Sequence, residues 1–176
     1  RHLYPQAKFW VGPVVAEGFY YDIDLGEDVI RDEDIEKITK EMKKVVKFGG
    51  SSLANAEQFQ KVGDIIRSDE SRRYVVPSAP GKRFDEDIKV TDMLYGCYDA
   101  ASKGEDITEK INAIKARYYE IIKGLGLSLS LEEEFKKIDE DFRAQAGIQY
   151  AASRGEFLNG KIMAAYLGYD FVDAAS

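Results

Sequence analysis

The run Lys47-Phe48-Gly49-Gly50-Ser51-Ser52 decides the fold prediction, because a short apolar stretch over residues 44–48 ends there abruptly at two glycines. The stretch predicts a strand, and the glycines predict a sharp turn before a helix. Successive backbone amides in such a turn form a concavity that binds anions, and the positive end of the following helix adds to it. Lys47 and the serine hydroxyls would complete a phosphate cradle, although an ordinary strand-to-helix turn could contain the same glycines. The spacing matches neither the Gly-x-x-x-x-Gly-Lys-Ser/Thr loop nor the dinucleotide fingerprint.

Downstream of this run, strand and helix patterns alternate. Asn55 is placed to cap a helix whose buried stripe would be Phe59, Val62, Ile65 and Ile66. A second buried strand is predicted over residues 73–77. Helical patterns follow over about 90–102, 107–123, 131–143 and 149–167, and Gly168 is expected to end the last of them. One more buried strand is predicted over residues 170–174. This alternation predicts an α/β fold with a mostly parallel sheet, whose ligand loops would be residues 49–52 and 78–83.

Upstream of the run, residues 7–15 and 19–25 predict a β-hairpin in which Gly12-Pro13 interrupts the first strand. A helix is predicted from Asp32, since acidic residues are favoured at the positive end of a helix. The expected architecture is therefore a small α+β hairpin–helix segment over residues 1–44, followed by an α/β domain over residues 45–176.

Two further polar runs stand where the chain is otherwise apolar. Ser78 falls at a predicted strand end, with Lys82 and Arg83 soon after and Thr91-Asp92 at a helix start, although a solvated loop with a capping threonine has the same pattern. Ser153-Arg154-Gly155-Glu156 lies inside a predicted helix, where glycine costs about 1 kcal/mol relative to alanine. The alternative to a site there is an exposed helix face with a local ion pair.

Composition excludes several classes of protein. The net charge of −7, from 32 acidic and 25 basic residues, argues against electrostatic capture of nucleic acid. Cys97 is the only cysteine and His2 the only histidine, so we expect no intrachain disulfide, no zinc site of the usual kinds and no histidine-based triad. Cys97 is expected to be a buried apolar residue. No apolar run approaches the roughly 20 residues that span a bilayer.

Taken in order, the runs 47–52, 78–82, 91–92 and 153–156 resemble the aspartate kinases. The resemblance extends from about residue 45 to the end and implies the first half of a three-layer α/β/α catalytic domain of the amino-acid kinase type. It implies phosphoryl transfer from ATP, bound as its Mg²⁺ complex, to the side-chain carboxylate of L-aspartate. The product, 4-phospho-L-aspartate, begins lysine, threonine and methionine biosynthesis, and the family's metabolism implies a cytoplasmic location.

The resemblance also implies roles for individual residues. Lys47 would neutralise charge on the transferred phosphate, and the amides of Gly49 and Gly50 with Ser51 would hold phosphate oxygens. Ser78 and Thr91 match positions near the substrate, and Glu156 matches the glutamate that pairs with the substrate ammonium. Arg154 is not assigned the substrate α-carboxylate, and no residue is assigned a metal.

The family places most of its nucleotide pocket and its regulatory domains beyond the last residue here. We therefore expect a truncated chain with an incomplete sheet, an exposed sheet edge and no activity alone. Both ends, at Arg1 and Ser176, are expected to be cut.

Residues 1–44 resemble part of the editing domain of threonyl-tRNA synthetase, through runs that include Val11-Gly12-Pro13 and Gly18-Phe19-Tyr20-Tyr21-Asp22. That family's paired histidines are absent, and His2 does not replace them. Three hypotheses stay open: a truncated kinase half with a foreign leader, a genuine fusion whose leader binds RNA or a protein, and a non-catalytic interaction fragment. The expected ligands are L-aspartate and ATP.

Overall fold

The structure is a computed structural model that describes residues 4–15, 18–41 and 43–173. The chain divides between Lys43 and Lys44 into two compact units.

The first unit contains an antiparallel hairpin and one helix. Strands β1, Lys8–Val15, and β2, Gly18–Asp24, pair from Lys8 opposite Asp24 to Val15 opposite Gly18. The register shifts between Val11 and Val14, where proline cannot donate to a ladder. Helix α1, Asp32–Glu41, begins with three acidic residues, and the Asp34 carboxylate accepts a 3.1 Å hydrogen bond from the Arg31 amide. The predicted hairpin and helix are confirmed.

The second unit begins with strand β3, Lys44–Phe48, and a 3-10 turn over Gly50–Leu53. Asn55 caps the next helix as predicted, since its side chain accepts a 3.0 Å hydrogen bond from the Gln58 amide. The remaining elements are α2, Ala56–Arg67; β4, Arg72–Pro77; α3, Val90–Ser102; α4, Thr108–Gly124; α5, Glu132–Arg143; and α6, Ile148–Leu167. Gly168 ends α6 in the left-handed region, with φ of 70°, which glycine adopts without strain.

Strands β3 and β4 form a parallel pair, with Val46 opposite Val75 and Phe48 opposite Pro77. Because strand side chains alternate between faces, Val46, Phe48 and Val75 pack against the helical core, whereas Val45, Tyr74 and Val76 are 68%, 60% and 45% exposed. The α/β class and the incomplete sheet are confirmed, and helices of the second unit pack on one face of the sheet. The prediction that β4 is a buried strand is wrong for its other face, because Tyr74 and Val76 are exposed there.

Two other details differ from the predictions. Ile65 of α2 is 48% exposed, while Phe59, Val62 and Ile66 are buried, so the buried stripe is narrower than expected. Residues 170–173 do not form a strand, and Val172 is 80% exposed, since no ladder partner lies beside them in the described chain. Position 174 of that predicted strand lies outside the described residues.

The core lies where α3, α4, α5 and α6 meet, and its largest fully buried side chains include Tyr118, Phe142 and Leu158. Cys97 is buried there as predicted, and burial raises the pKa of its thiol to about 11. None of the helices in the described ranges is long and apolar enough to cross a membrane.

Candidate functional site

The two predicted ligand loops meet at the carboxyl ends of β3 and β4. The Ser78 amide donates to the Phe48 carbonyl oxygen at 3.0 Å, which continues the parallel ladder by one residue. Further on, the Gly81 amide donates to the Gly50 carbonyl oxygen at 2.8 Å. The loops after the two strands are therefore joined by backbone hydrogen bonds, as the parallel topology predicts.

Glycine is required at two positions where the loops touch. A Cβ atom on Gly81 would lie 2.6 Å from the carbonyl carbon of Gly50 and 2.7 Å from the Ser51 amide nitrogen. A Cβ atom on Gly50 would lie 2.8 Å from the Ala79 carbonyl oxygen. By contrast, a Cβ atom on Gly49 meets nothing within 4 Å, and its φ of −74° suits any residue. Close packing of the loops thus depends on Gly50 and Gly81.

Lys47 lies in β3 opposite Val76 and is exposed on the open face of the sheet. Among the described residues, no carboxylate forms a salt bridge with its ammonium group. Ser51 is exposed in the 3-10 turn, and the first amides of such a turn have no acceptor within it. A free ammonium and unpaired amides are groups that can stabilise the charge of a phosphate.

The loop after β4 is held against the first turn of α3. The Pro80 carbonyl oxygen accepts a 3.1 Å hydrogen bond from the amide of Val90, the first residue of α3. Ser78 and Thr91 are both half-buried, and they lie at the two ends of this connection. Two of the three predicted substrate residues, Ser78 and Thr91, thus flank one loop.

The glycine of the polar run inside α6, Gly155, lies where this helix contacts the loop after β4. A Cβ atom there would lie 2.6 Å from the Cβ of Ala79, so the helix packs directly on the loop after β4. The Tyr118 hydroxyl donates to the Gly155 carbonyl oxygen at 2.9 Å, and burial raises the pKa of Tyr118 well above its usual range. Glu156, the next residue, is exposed and lines a cavity of about 610 Å³ together with Val76 and Pro77 of β4.

Among the residues that the structure describes, none forms with Arg154 the local ion pair considered as the alternative for this run. The Arg154 guanidinium lies over the rings of Tyr150 and Phe157, 4.4 and 4.5 Å from their centroids, and donates to the Ser153 hydroxyl at 3.0 Å. This is a cation–π arrangement.

The cations of the loop after β4 have partners of their own. The Lys82 ammonium donates to the Asp85 carbonyl oxygen at 2.9 Å. Arg83 pairs with Asp87 and with Glu120, each at 2.9 Å. The charge of Arg83 is therefore balanced by carboxylates within the protein, whereas Lys82 is held only by a neutral carbonyl oxygen.

Two residues that the sequence analysis missed hold this loop from the interior. Arg117, only 5% exposed, donates to the carbonyl oxygens of Gly81 at 2.9 Å and Ile88 at 3.0 Å, and pairs with Asp87 at 3.0 Å. Asn159, fully buried, donates to the Ser78 carbonyl oxygen at 2.6 Å. Both occupy buried positions of otherwise apolar helix stripes, and that misplaced polarity is the signal that could have found them.

The charged groups beside the loop after β4 shift the pKa values of Asp87 and Arg117. Hydrogen bonds from Arg83 hold the pKa of the Asp87 carboxyl well below its usual range, and the nearby Arg117 charge acts in the same direction. Burial lowers the pKa of Arg117, against the attraction of Asp87. Within the described ranges, no cluster of three or more histidine, cysteine or acidic side chains could hold a metal ion.

Comparisons with known proteins show which family the chain is similar to. The family model of the amino acid kinase family matches residues 42–176. Aspartokinase 3 of Bacillus subtilis is 40% identical over 139 residues, which cover 74% of this chain and 30% of that protein. The crystal structure of Clostridium acetobutylicum aspartate kinase is similar with a TM-score of 0.72 and 45% identity, over 74% of this chain and 30% of that one. E. coli aspartokinase III in complex with aspartate and ADP gives a TM-score of 0.57 and 26% identity, over 70% and 28%.

A threonine–tRNA ligase of Sulfurovum sp. is also similar, with 53% identity over 161 residues that cover 79% of this chain and 26% of the ligase. This similarity extends well beyond residues 1–44, the segment whose sequence resembles the editing domain. The chain spans 30% of the length of the Bacillus relative and of the Clostridium structure.

Proposed function

The chain belongs to the amino acid kinase family, and on that premise we propose that it carries the first part of the catalytic domain of an aspartate kinase. The reaction would transfer the γ-phosphoryl group of ATP, bound with Mg²⁺, to the side-chain carboxylate of L-aspartate. A carboxylate oxygen would bond to the γ-phosphorus as the bond from that phosphorus to the bridging oxygen breaks, which releases ADP. The nucleophile is ionised at neutral pH, so this step requires no general base.

The observation that carries the proposal is the joining of the two loops by the Gly81–Gly50 hydrogen bond of 2.8 Å. It places the Lys47–Ser51 run and the Ser78–Gly81 run at one edge of the sheet, where α/β proteins bind their ligands. A phosphoryl acceptor and a phosphoryl donor must approach each other closely, and two adjacent loops suit that requirement.

The proposed roles follow from the chemistry of each group. Lys47 would balance negative charge on the transferred phosphoryl group, because no carboxylate in the described ranges forms a salt bridge with its ammonium. The amides of Gly49 and Gly50 and the Ser51 hydroxyl would donate to phosphate oxygens. The substrate would be bound by Ser78, Thr91 and Glu156. The Glu156 carboxylate would accept a hydrogen bond from the aspartate ammonium.

A chimera provides the test. Residues 44–173 would replace the equivalent segment of the Clostridium acetobutylicum enzyme, and aspartyl phosphate would be trapped as its hydroxamate. We expect aspartate-dependent ADP release, and Lys47→Met should lower kcat by about 100-fold or more. Lys61→Met is the matched control, because Lys61 is exposed on α2 and its ammonium pairs with Glu57 at the surface. A chimera that folds but consumes no ATP with aspartate contradicts the proposal.

The chain alone is proposed to be inactive, because it spans only part of the length of its relatives. We further propose that residues 1–44 form a separate, synthetase-like segment, that 45–176 form the kinase part, and that the location is cytoplasmic. Hydroxamate formation by the purified 176-residue chain would contradict the proposal that the chain alone is inactive.

A second candidate function is favoured by the similarity to threonine–tRNA ligase. We propose, as the alternative, a tRNA-associated role for the hairpin–helix unit, which is compact by itself. Binding of tRNA by the chain at physiological salt, lost when residues 1–43 are removed, would support it. The net charge of −7 weighs against it.

A further inference from the structure

Two buried polar side chains donate hydrogen bonds to one short loop. Among the described residues, the buried polar or charged side chains are Arg117 and Asn159. They come from different helices, α4 and α6. Their hydrogen bonds nevertheless go to the first and last residues of the same four-residue segment, Ser78 and Gly81.

Both side chains are incompletely satisfied. The Arg117 Nε and the Asn159 Oδ1 are buried without a hydrogen-bond partner in the described structure. A buried polar atom without a partner destabilises the fold, and an apolar side chain of similar shape would avoid that cost. Polar groups that persist at such positions often serve a purpose other than stability.

The purpose suggested here is electrostatic and geometric. The carbonyl oxygens of Ser78, Pro80 and Gly81 accept hydrogen bonds from Asn159, Val90 and Arg117, respectively. The donors from Asn159 and Arg117 are buried, so those two carbonyl oxygens are directed into the protein. A loop whose carbonyl dipoles are engaged internally presents less negative charge to an anionic ligand at its other side.

We propose that Arg117 and Asn159 are positioning residues that hold Ser78–Gly81 in the conformation that accepts the anionic substrate. This inference rests on the proposed function for the identity of the substrate, L-aspartate. Neither side chain is proposed to touch the substrate. Their action goes through the backbone carbonyl oxygens of the loop.

The first test uses the chain itself and needs no kinase activity. Asn159→Leu removes the donor to Ser78 and the unpaired Oδ1 with little change of volume. We expect the Ser78 and Gly81 amides to exchange with solvent about tenfold faster, while amides in α4 keep their protection. Asn112→Leu on the exposed side of α4 is the matched control and should change neither.

The second test uses the chimera described above. Asn159→Leu and Arg117→Lys should each raise the KM for aspartate at least about fivefold and leave kcat within about twofold. Lysine keeps the charge opposite Asp87 but cannot reach two carbonyl groups with a planar fork. Arg143→Lys is the control, because Arg143, at the end of α5, pairs with Asp106 and Asp139 at the surface.

The outcomes separate the two proposals. Unchanged exchange at Ser78 and Gly81, or a uniform increase through the unit, would overturn the positioning role whatever the chimera does. If Asn159→Leu does not fold, Arg117→Lys decides by the same two measurements. An inactive unsubstituted chimera contradicts the proposed function and leaves the exchange result valid.

Discussion

Gly155 of α6 lies against Ala79 of the loop after β4 so closely that a Cβ atom on Gly155 would be 2.6 Å from the Ala79 Cβ. The same hypothetical atom would be 3.3 Å from Leu94 Cδ1. This contact positions the helix that carries Glu156 directly on the loop that carries Ser78. A glycine that is unfavourable for a helix by itself is therefore required by packing.

Gly155→Ala should destabilise the protein, even though alanine is the better helix former. The forced shift of α6 from the loop is expected to cost about 1 to 3 kcal/mol, more than the roughly 1 kcal/mol gained from helix propensity. The matched control is Gly96→Ala in α3, where a Cβ atom meets nothing within 4 Å. This substitution should stabilise the protein. Urea unfolding of the three proteins measures both effects, and equal midpoints would contradict the contact.

Gly81→Ala should separate the two ligand loops, because its Cβ would overlap the backbone of Gly50 and Ser51. We expect a loss of about 2 kcal/mol or more in unfolding free energy, since backbone atoms cannot move aside as side chains do. Gly49→Ala should leave stability within about 0.5 kcal/mol, because its surroundings are open and its φ is ordinary. Thermal unfolding of both variants provides the measurement, and a destabilised Gly49→Ala with a normal Gly81→Ala would reverse the assignment.

Acid should weaken the network around Asp87. The pKa of this carboxyl is lower in the folded than in the unfolded protein, so its contribution is complete above the unfolded value of about 3.9. The contribution is lost as the pH falls below that value toward the folded pKa. Unfolding free energies measured from pH 7 down to pH 3 should therefore fall more steeply for the parent than for Asp87→Asn.

At pH 7, Asp87→Asn should cost about 3 kcal/mol, because Arg117 is left buried without its carboxylate. Asp99→Asn is the control, since Asp99 pairs with Lys103 at the surface and should contribute less than about 1 kcal/mol. Equal losses for the two variants would show that the buried pair has no special weight.

Cys97 should be inert in the folded protein. It is buried, and burial raises the pKa of its thiol to about 11, so the reactive thiolate is scarce at pH 8. Labelling with a thiol reagent should become fast only across the unfolding transition. A cysteine introduced by Ser102→Cys at the exposed end of the same helix should react at once, and equally fast labelling of Cys97 in native buffer would be inconsistent with its burial.

Removing residues 1–43 should leave the second unit folded. The amide of Lys44 donates to the Ser71 carbonyl oxygen at 2.6 Å, and its ammonium pairs with Asp69 at 2.7 Å, so β3 is anchored from its first residue. We expect the unfolding midpoint of the second unit to be unchanged within error. A large decrease would show that the first unit contributes to its stability.

The strands, helices and caps were predictable because their signals are local. Asn55 and Gly168 mark helix ends through their own side-chain and backbone chemistry, and β3 and α3 have the predicted limits. The adjacency of residues 49–52 and 78–83 also followed from sequence, since parallel strands place their following loops at one edge. The exposure of Tyr74, Val76 and Ile65 was not predictable, because an apolar pattern does not show whether another layer covers the residue.

Local sequence patterns predicted the order of elements, the two glycine-containing loops and the resemblance of residues 45–176 to the aspartate kinases, because each depends on residues close together along the chain. The close approaches at Gly50, Gly81 and Gly155, and the hydrogen bonds from Arg117 and Asn159 to the loop after β4, became visible only in the folded protein. Those relationships join residues 29 to 81 positions apart. They exist only because helix packing brings α4 and α6 against the end of a two-stranded sheet.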